Sequence, residues 1–350
     1  MGRTFGRTEK YFGIGLGIAA VIALVFLLML TQTDWGRRHV LAFGLDQLAS
    51  RVHGHVAIGE INGNLLSGAR LTRVVITDTA GRPFLNADTV TMRYSMRSLL
   101  RKHLLLEDIR IVDAVIVLDQ PPNEEWNFAR IFPVGPPKPH RGPGFGAWVV
   151  IDNMQVKNST AIVRAVRPAA DTAPNNRMWI VKVPGGYQSV SEFLNVNGTF
   201  PLMRLSDPDS ANRLITVQSL SMVALPFKPP GIDVSSLSGR FIVRKDSVVM
   251  DSIRLRTPGS IVSGIGAYAM SGVGGRFQLT IPKANLADVR FLRPDAPAGN
   301  GSLSLAYASN RSVHHIITSN MNLRAEGATV RGLLDITIGN AQYQIGPSDF

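Results

Sequence analysis

From Val52 onward, apolar residues fall at alternate positions in short runs broken by Asp, Asn, Gly and Ser. No helical spacing of matching length separates these runs. Alternation sends successive side chains to opposite faces of an extended chain, so the pattern dictates β-strands with one apolar face. In Thr72–Thr77 (TRVVIT), Val74 and Ile76 share one face while Arg73, Val75 and Thr77 share the other. In Ala87–Tyr94 (ADTVTMRY), Val90, Met92 and Tyr94 alternate with Thr89, Thr91 and Arg93. The intervening DTAGRP is turn chemistry: Asp78 for a local side-chain bond, Gly81 for positive φ, and Pro83 to end the turn. A short helix is expected over SMRSLLRKH. LEDIRIVDAVIVLD then reads as two more short strands, with Ile109 and Ile111, then Val115 and Val117, at alternating positions.

Residues 121–147 read as a linker-like loop, whose PVGPPKPHRGPGFG would break any sheet ladder. Strand pattern resumes in AWVVIDNMQV and AIVRAV, with a polar interruption at about residues 167–177. It continues through LITVQSLSMVAL, LSGRFIVRKDSVVMDSIRLR, SIVSGIGAYAM, GGRFQLTIPKA, SLSLAYAS, HHIITSNMNLRAEGATVRG and LLDITIG. A loose repeat is visible when DIRIVDAVIVLD, DSVVMDSIRLR and IDNMQVKNSTAIVR are compared: four to six alternating residues, a D/N/G/S turn, another strand. Repeated strands without matched helices imply a meander growing along one axis, and their two-faced character suits a sheet with one wet side.

The N-terminus differs. Tyr11–Leu30 (YFGIGLGIAAVIALVFLLML) is twenty residues without a charge. A helix of that length spans about 30 Å, the thickness of a bilayer core. Arg3, Arg7 and Lys10 precede it, so the positive-inside rule puts the N-terminus in the cytoplasm and the bulk outside, with Arg37 and Arg38 weighing slightly the other way. A cleaved signal peptide would have a shorter apolar region, and TQTDW lacks an A-x-A-like site, which favours an uncleaved anchor. Asp34 can cap a second, amphipathic helix to about Ser50, with Leu41, Leu45 and Leu48 on one face.

Composition narrows the chemistry. With no Cys, disulfides, zinc-thiolate sites and thiol catalysis are excluded. The formal charge of +12 is spread along the chain with no long basic run, which fits scattered strand-face arginines better than a nucleic-acid footprint. There is no G-x-S-x-G, Walker or H-E-x-x-H motif. His53 and His55 would share a strand face but lack an acidic ligand at clear spacing, and the adjacent His314 and His315 would face opposite sides. Glu124 and Glu125 lie side by side in a loop, where carboxylates are usually solvated. No catalytic residue, metal or cofactor is expected, and the chain reads as a non-enzyme.

A sheet with one apolar face must bury that face. Without helices to cover it, the sheet must close on itself, pack a second sheet, or curl around an apolar ligand. Acyl chains gain about 0.8 kcal/mol per buried CH₂, so an open trough could hold lipid tails. The candidate groove residues are Val74, Ile76, Val90, Met92, Ile109, Ile111, Val115 and Val117.

The order of features resembles the N-terminal part of the AsmA-like/TamB superfamily. The resemblance is carried by an N-terminal membrane helix, then by residues 53–132 with LLSG, DTAGRP, ADTVTMRY, a short LL helix and the Trp126-Asn127 pair; it is looser from residue 148, where residues 214–270 are similar to later strand repeats. TamB-type members are usually far longer, so a short relative or a fragment is expected. The resemblance implies a mainly β protein: an N-terminal transmembrane helix followed by an elongated, curved repeating β-sheet groove with one or two short helices. It implies an inner-membrane, single-pass, periplasmic location. The function implied is phospholipid transport toward the outer membrane, with acyl chains, the inner membrane and an outer-membrane barrel as partners and no nucleic acid. An assembly factor that pairs strands with client proteins or a partner barrel is the alternative. The expected organisation is a tail at 1–10, anchor at 11–30, amphipathic helix at 34–50, first groove module at 51–132, Pro/Gly-rich loop at 133–147, and further groove repeats at 148–350.

Overall fold

The computed structural model describes residues 53–348 apart from 64–67, 96, 99, 100, 102, 132–147, 170–176, 208, 209, 211, 270–273, 311, 312, 340 and 341. The expected tail, anchor, amphipathic helix and Pro/Gly-rich loop lie outside the described residues, as does much of the helix expected over SMRSLLRKH.

The described chain is mainly β. Its first strands are β1 (Gly54–Ala57), β2 (Glu60–Asn62), β3 (Gly68–Asp78), β4 (Pro83–Tyr94) and β5 (His103–Asp119). A short helix α1 (Asn127–Ile131) precedes β6 (Trp148–Arg167), β7 (Trp179–Val183), β8 (Gly186–Ser206) and β9 (Arg213–Leu225). The remainder is β10 (Ile232–Val243), β11 (Ser247–Arg256), β12 (Ile261–Ala269), β13 (Gly274–Asn285), β14 (Gly299–Asn310), β15 (Val313–Ala325), β16 (Ala328–Gly339) and β17 (Gln342–Ile345).

All seventeen strands belong to one large curved sheet. β1 and β2 lie end to end along β3. Pairing then runs β3–β4–β5–β6–β8, and β7 and β9 lie end to end along the far side of β8. From β9 to β17 each strand pairs with the next. At about 4.8 Å per strand, this ladder extends roughly 65 Å along its hydrogen-bonding direction. The expected meander is present, with departures at β6, which skips β7 to pair with β8, and at the β5–β6 pair. β5 and β6 are parallel and stay in one register from His103↔Trp148 to Asp119↔Arg164. A parallel pair needs a crossover, and the residues between these strands supply it.

Helix α1 lies inside the segment read as a featureless linker, and five residues are too few for a periodic signal. Its anchor is Asn127, 1% exposed. The side-chain amide donates to the Val117 carbonyl (2.6 Å), and its oxygen accepts from the Asp119 N–H (3.0 Å). Ile131, fully buried, completes the attachment.

Most strands are longer than the four to six residues expected; β8 has 21. Asp, Asn and Ser residues that read as turns sit inside continuous strands. Asp113, Asn158, Asn195, Ser252 and Asn320 have φ of 51°, 47°, 53°, 55° and 52°, the left-handed region that Asn and Asp tolerate best. They insert irregularities without reversing the chain, so LEDIRIVDAVIVLD is one strand and IDNMQVKNSTAIVR lies within another. Each of the eight pairings from β8–β9 to β15–β16 contains a register shift. Bulges bend a strand and increase its twist. Repeated strand after strand, they favour the curvature of the sheet.

The β3–β4 turn follows its sequence chemistry. One Asp78 carboxylate oxygen accepts from the N–H groups of Ala80 and Arg82, both at 2.9 Å, and the other accepts from Arg82 Nε at 2.7 Å. Gly81 has φ of 75°. Arg82 also grips Glu124 through both guanidinium nitrogens, and Arg130 of α1 pairs with Glu124 and stands 3.3 Å from Asp78. Burial opposes ionisation of Asp78, but the Arg82 and Ala80 bonds outweigh it and hold the carboxyl below its ordinary value. A depressed carboxylate contributes stability above its unfolded pKa of about 3.9, lost as pH falls through the folded value. Asp78→Asn should therefore cost about 1 kcal/mol at pH 7. That difference should close as pH drops below about 4, which denaturant midpoints measured across pH would show.

Candidate functional site

The apolar face is assembled by cross-strand register, because directly paired residues point to the same side. At the start of the sheet Leu71 pairs with Val90, Val74 with Ala87, and Ile76 with Leu85. One strand further, Val90 pairs with Ile111 and Ala87 with Ala114. Val74, Ala87, Val90 and Ala114 are buried, and Leu71, Ile76, Leu85, Met92 and Ile111 pack around them half-buried. The two alanines sit low, so branched neighbours close over them.

The same face continues through β6, where Ile109 and Ile111 lie beside Met154 and Val156, and into β8, where Met154 pairs with Phe200. Nearer the other end of these strands, Tyr94 pairs with Leu106, Leu106 with Ile151 and Ile151 with Met203. From Met203 an unbroken row of partners crosses the rest of the sheet: Ile215, Phe241, Met250, Gly266, Phe277, Tyr307, Ile316 and Ile336. The only interruption in apolar side chains is Gly266, where the Phe277 ring fills the gap: a Cβ there would lie 2.4 Å from the ring. Phe277 and Tyr307 have centroids 6.0 Å apart, and the Tyr307 hydroxyl lies 2.9 Å from His314 Nδ1. Most of these side chains are half-buried rather than dry.

The opposite face carries the charge. Asp108 accepts from Arg93 (2.9 Å) and from Asn153 (2.7 Å), linking three strands, and Asn158 donates to Asp113 one step along. Arg240 pairs with Asp251 at 3.5 Å, and His315 Nε2 lies 2.8 Å from Asp335.

Six expected groove residues, Val74, Ile76, Val90, Met92, Ile109 and Ile111, share the apolar face. Val115 and Val117 do not. The left-handed residue Asp113 shifts the alternation by one, so Ala114 and Ile116 take the apolar face, while Val115 pairs with the exposed Asn86. Val117 is turned with Val115 and is buried beside the Asn127 attachment. The larger part of the face, from Met154 to Ile336, follows the same alternation beyond the eight expected residues.

Among the described residues no group of three or more His, Asp or Glu side chains is placed to hold a metal. Among them, no helix is long and apolar enough to cross a membrane, and the expected span at residues 11–30 lies outside them. Comparison with protein-family models, with curated proteins and with solved structures gave no match.

Proposed function

We propose that this is an inner-membrane-anchored, periplasmic protein of AsmA/TamB type that shields phospholipid acyl chains along the apolar face of its sheet. The observation carrying this reading is the continuity of that face from Leu71 to Ile336 within one sheet. An extended face without a second sheet over it among the described residues gains by contacting hydrocarbon. Each acyl CH₂ taken from water contributes about 0.8 kcal/mol. A curved sheet can wrap a chain laid along it, and the charged side chains of the opposite face stay in water. The work is noncovalent and needs neither catalytic group nor cofactor.

A photoreactive amino acid tests this directly. Placed at Phe200, it should label phospholipid in membranes of cells expressing the full chain. Placed at the adjacent Thr199, which pairs with Gln155 and Ser219 on the other side, it should not. Equal labelling from both positions would remove the reading.

A second reading is supported by the sheet edge. β17 pairs only with Ile336–Gly339 of β16, and the strand from Ala328 to Leu334 has no partner on that side among the described residues. Val330 there is 43% exposed. A client or partner strand could add at this edge, and crosslinks from Val330 to protein, with none from Phe200 to lipid, would favour it.

A further inference from the structure

The polar face is not polar throughout. Across β10–β15 it holds a depression of about 670 Å³, on the side opposite the proposed acyl-chain face. Most of its lining stands on that side, including Ile242, Val249, Ile265, Ala267, Ala306 and Ile317. Their register fixes the side: Ile242 pairs with Val249, Val249 with Ala267, and Ala306 with Ile317, whereas the intervening Phe241, Met250 and Tyr307 belong to the apolar face. Ala267 and Ala306 form a low floor among larger neighbours. Ile265 is 51% exposed, an unusual position for a large aliphatic side chain in a face otherwise carrying charge.

Two cations stand at this depression, Arg244 and Arg276. Arg276 pairs across the ladder with Ala267 and Ala308. Neither arginine has an acidic partner among the described residues. One carboxylate, Asp251, belongs to the lining and pairs with Arg240 at 3.5 Å, and the lining His315 lies 2.8 Å from Asp335. The volume falls within the range of roughly 300–1,000 Å³ typical of small-molecule sites. An apolar floor with unpaired guanidinium groups calls for a ligand with one apolar tail and one compact anionic head, since Arg binds a carboxylate through two parallel N–H donors. A second copy of the chain would bring like charges together across a two-fold axis.

We propose that the depression binds a single-chain fatty acid, with its tail on Ala267, Ala306 and Ile317 and its carboxylate held by Arg244 and Arg276. This site is separate from the face assigned to phospholipid and does not depend on that assignment. A hydrocarbon-length match is not needed, because the open rim leaves the far end of the tail free.

The test uses the full-length chain in bilayer discs of zwitterionic lipid and a fatty acid labelled with a fluorophore at its methyl end. Palmitate should displace the probe about tenfold better than hexadecanol, because only the carboxylate engages the arginines. Arg244→Gln with Arg276→Gln should weaken probe binding by about tenfold. Ala306→Trp should remove it, and Ile265→Glu, at an exposed position, should do the same without crowding the sheet. Thr91→Asp, in β4 and remote from the depression, should leave it unchanged. Equal displacement by hexadecanol overturns the proposal, as does binding that survives both Ala306→Trp and Ile265→Glu. A concentration-dependent dimer that Ile265→Glu dissolves would also overturn it, assigning the surface to a second copy.

Discussion

Replacing both Met92 and Leu305 by aspartate in the full-length chain should lower the phospholipid recovered with it by roughly a hundredfold, with the fold retained. Both residues lie on the apolar face and are only half-buried, so each aspartate can reach water when lipid is absent. In contact with hydrocarbon, a charged side chain costs about 2.5–3.5 kcal/mol. Each 1.4 kcal/mol is a factor of ten, so even one such group acting fully on a bound chain is worth about two orders of magnitude. Thr91→Asp with Ser304→Asp, one residue away on the wet face, should change the lipid yield by less than about twofold. Lipid phosphorus per mole of protein gives the result, and circular dichroism with an unfolding midpoint checks the fold. Unaltered lipid content in the Met92/Leu305 variant would refute the acyl-chain reading. Val74 is unsuitable for this test: it is 5% exposed within the Ala87–Ala114 cluster, where a carboxylate would break the sheet itself.

This contrast between Met92 and Val74 shows two kinds of position on one face. Where small residues lie among branched neighbours, the face covers itself, as around Ala87 and Ala114. Where longer side chains stand side by side, as from Phe241 to Ile336, they remain half-buried. Only the second kind has apolar surface left to offer a ligand. A protein that packed its whole face dry would be more stable and would have nothing to bind with.

Much of this was legible because alternation is a local signal. TRVVIT and ADTVTMRY assign Val74, Ile76, Val90 and Met92 to one face with no knowledge of the partner strand, and DTAGRP carries its own turn chemistry in Asp78 and Gly81. Three features were not legible. The parallel pairing of β5 with β6 joins residues such as Asp108 and Asn153, 45 positions apart, and no local pattern encodes which strands meet. Helix α1 depends on one buried amide, Asn127, bonding to strand backbone that lies next to it only after folding. The third is the double meaning of Asp and Asn. The same tolerance of positive φ that suits them to turns suits them to bulges, and only the neighbouring strands decide between the two. That ambiguity split β5 in two and placed Val115 and Val117 on the wrong side.

The bulge residues themselves can be tested by changing backbone preference and leaving the faces untouched. Asp113 has φ of 51° and an exposed side chain that accepts from Asn158 on the neighbouring parallel strand. Asp113→Gly keeps the left-handed conformation accessible and loses one exposed hydrogen bond, so it should cost less than about 1 kcal/mol. Asp113→Val must either hold a β-branched residue at that φ, at about 1–3 kcal/mol, or pull the strand into regular alternation. The second route is blocked by the neighbours. Arg73 and Asn158 are left-handed in β3 and β6, and register from Leu85↔Ile116 to Thr91↔Arg110 runs unshifted past Asp113. Straightening β5 alone would reverse the side of each residue from Ala114 to Val117, turning Ala114 from the apolar cluster toward water. Valine should thus lower the unfolding midpoint by several degrees more than glycine, although valine is much the better strand former. An Asp113→Val protein as stable as Asp113→Gly would show that the alternation of β5 is not set by the left-handed conformation at this position.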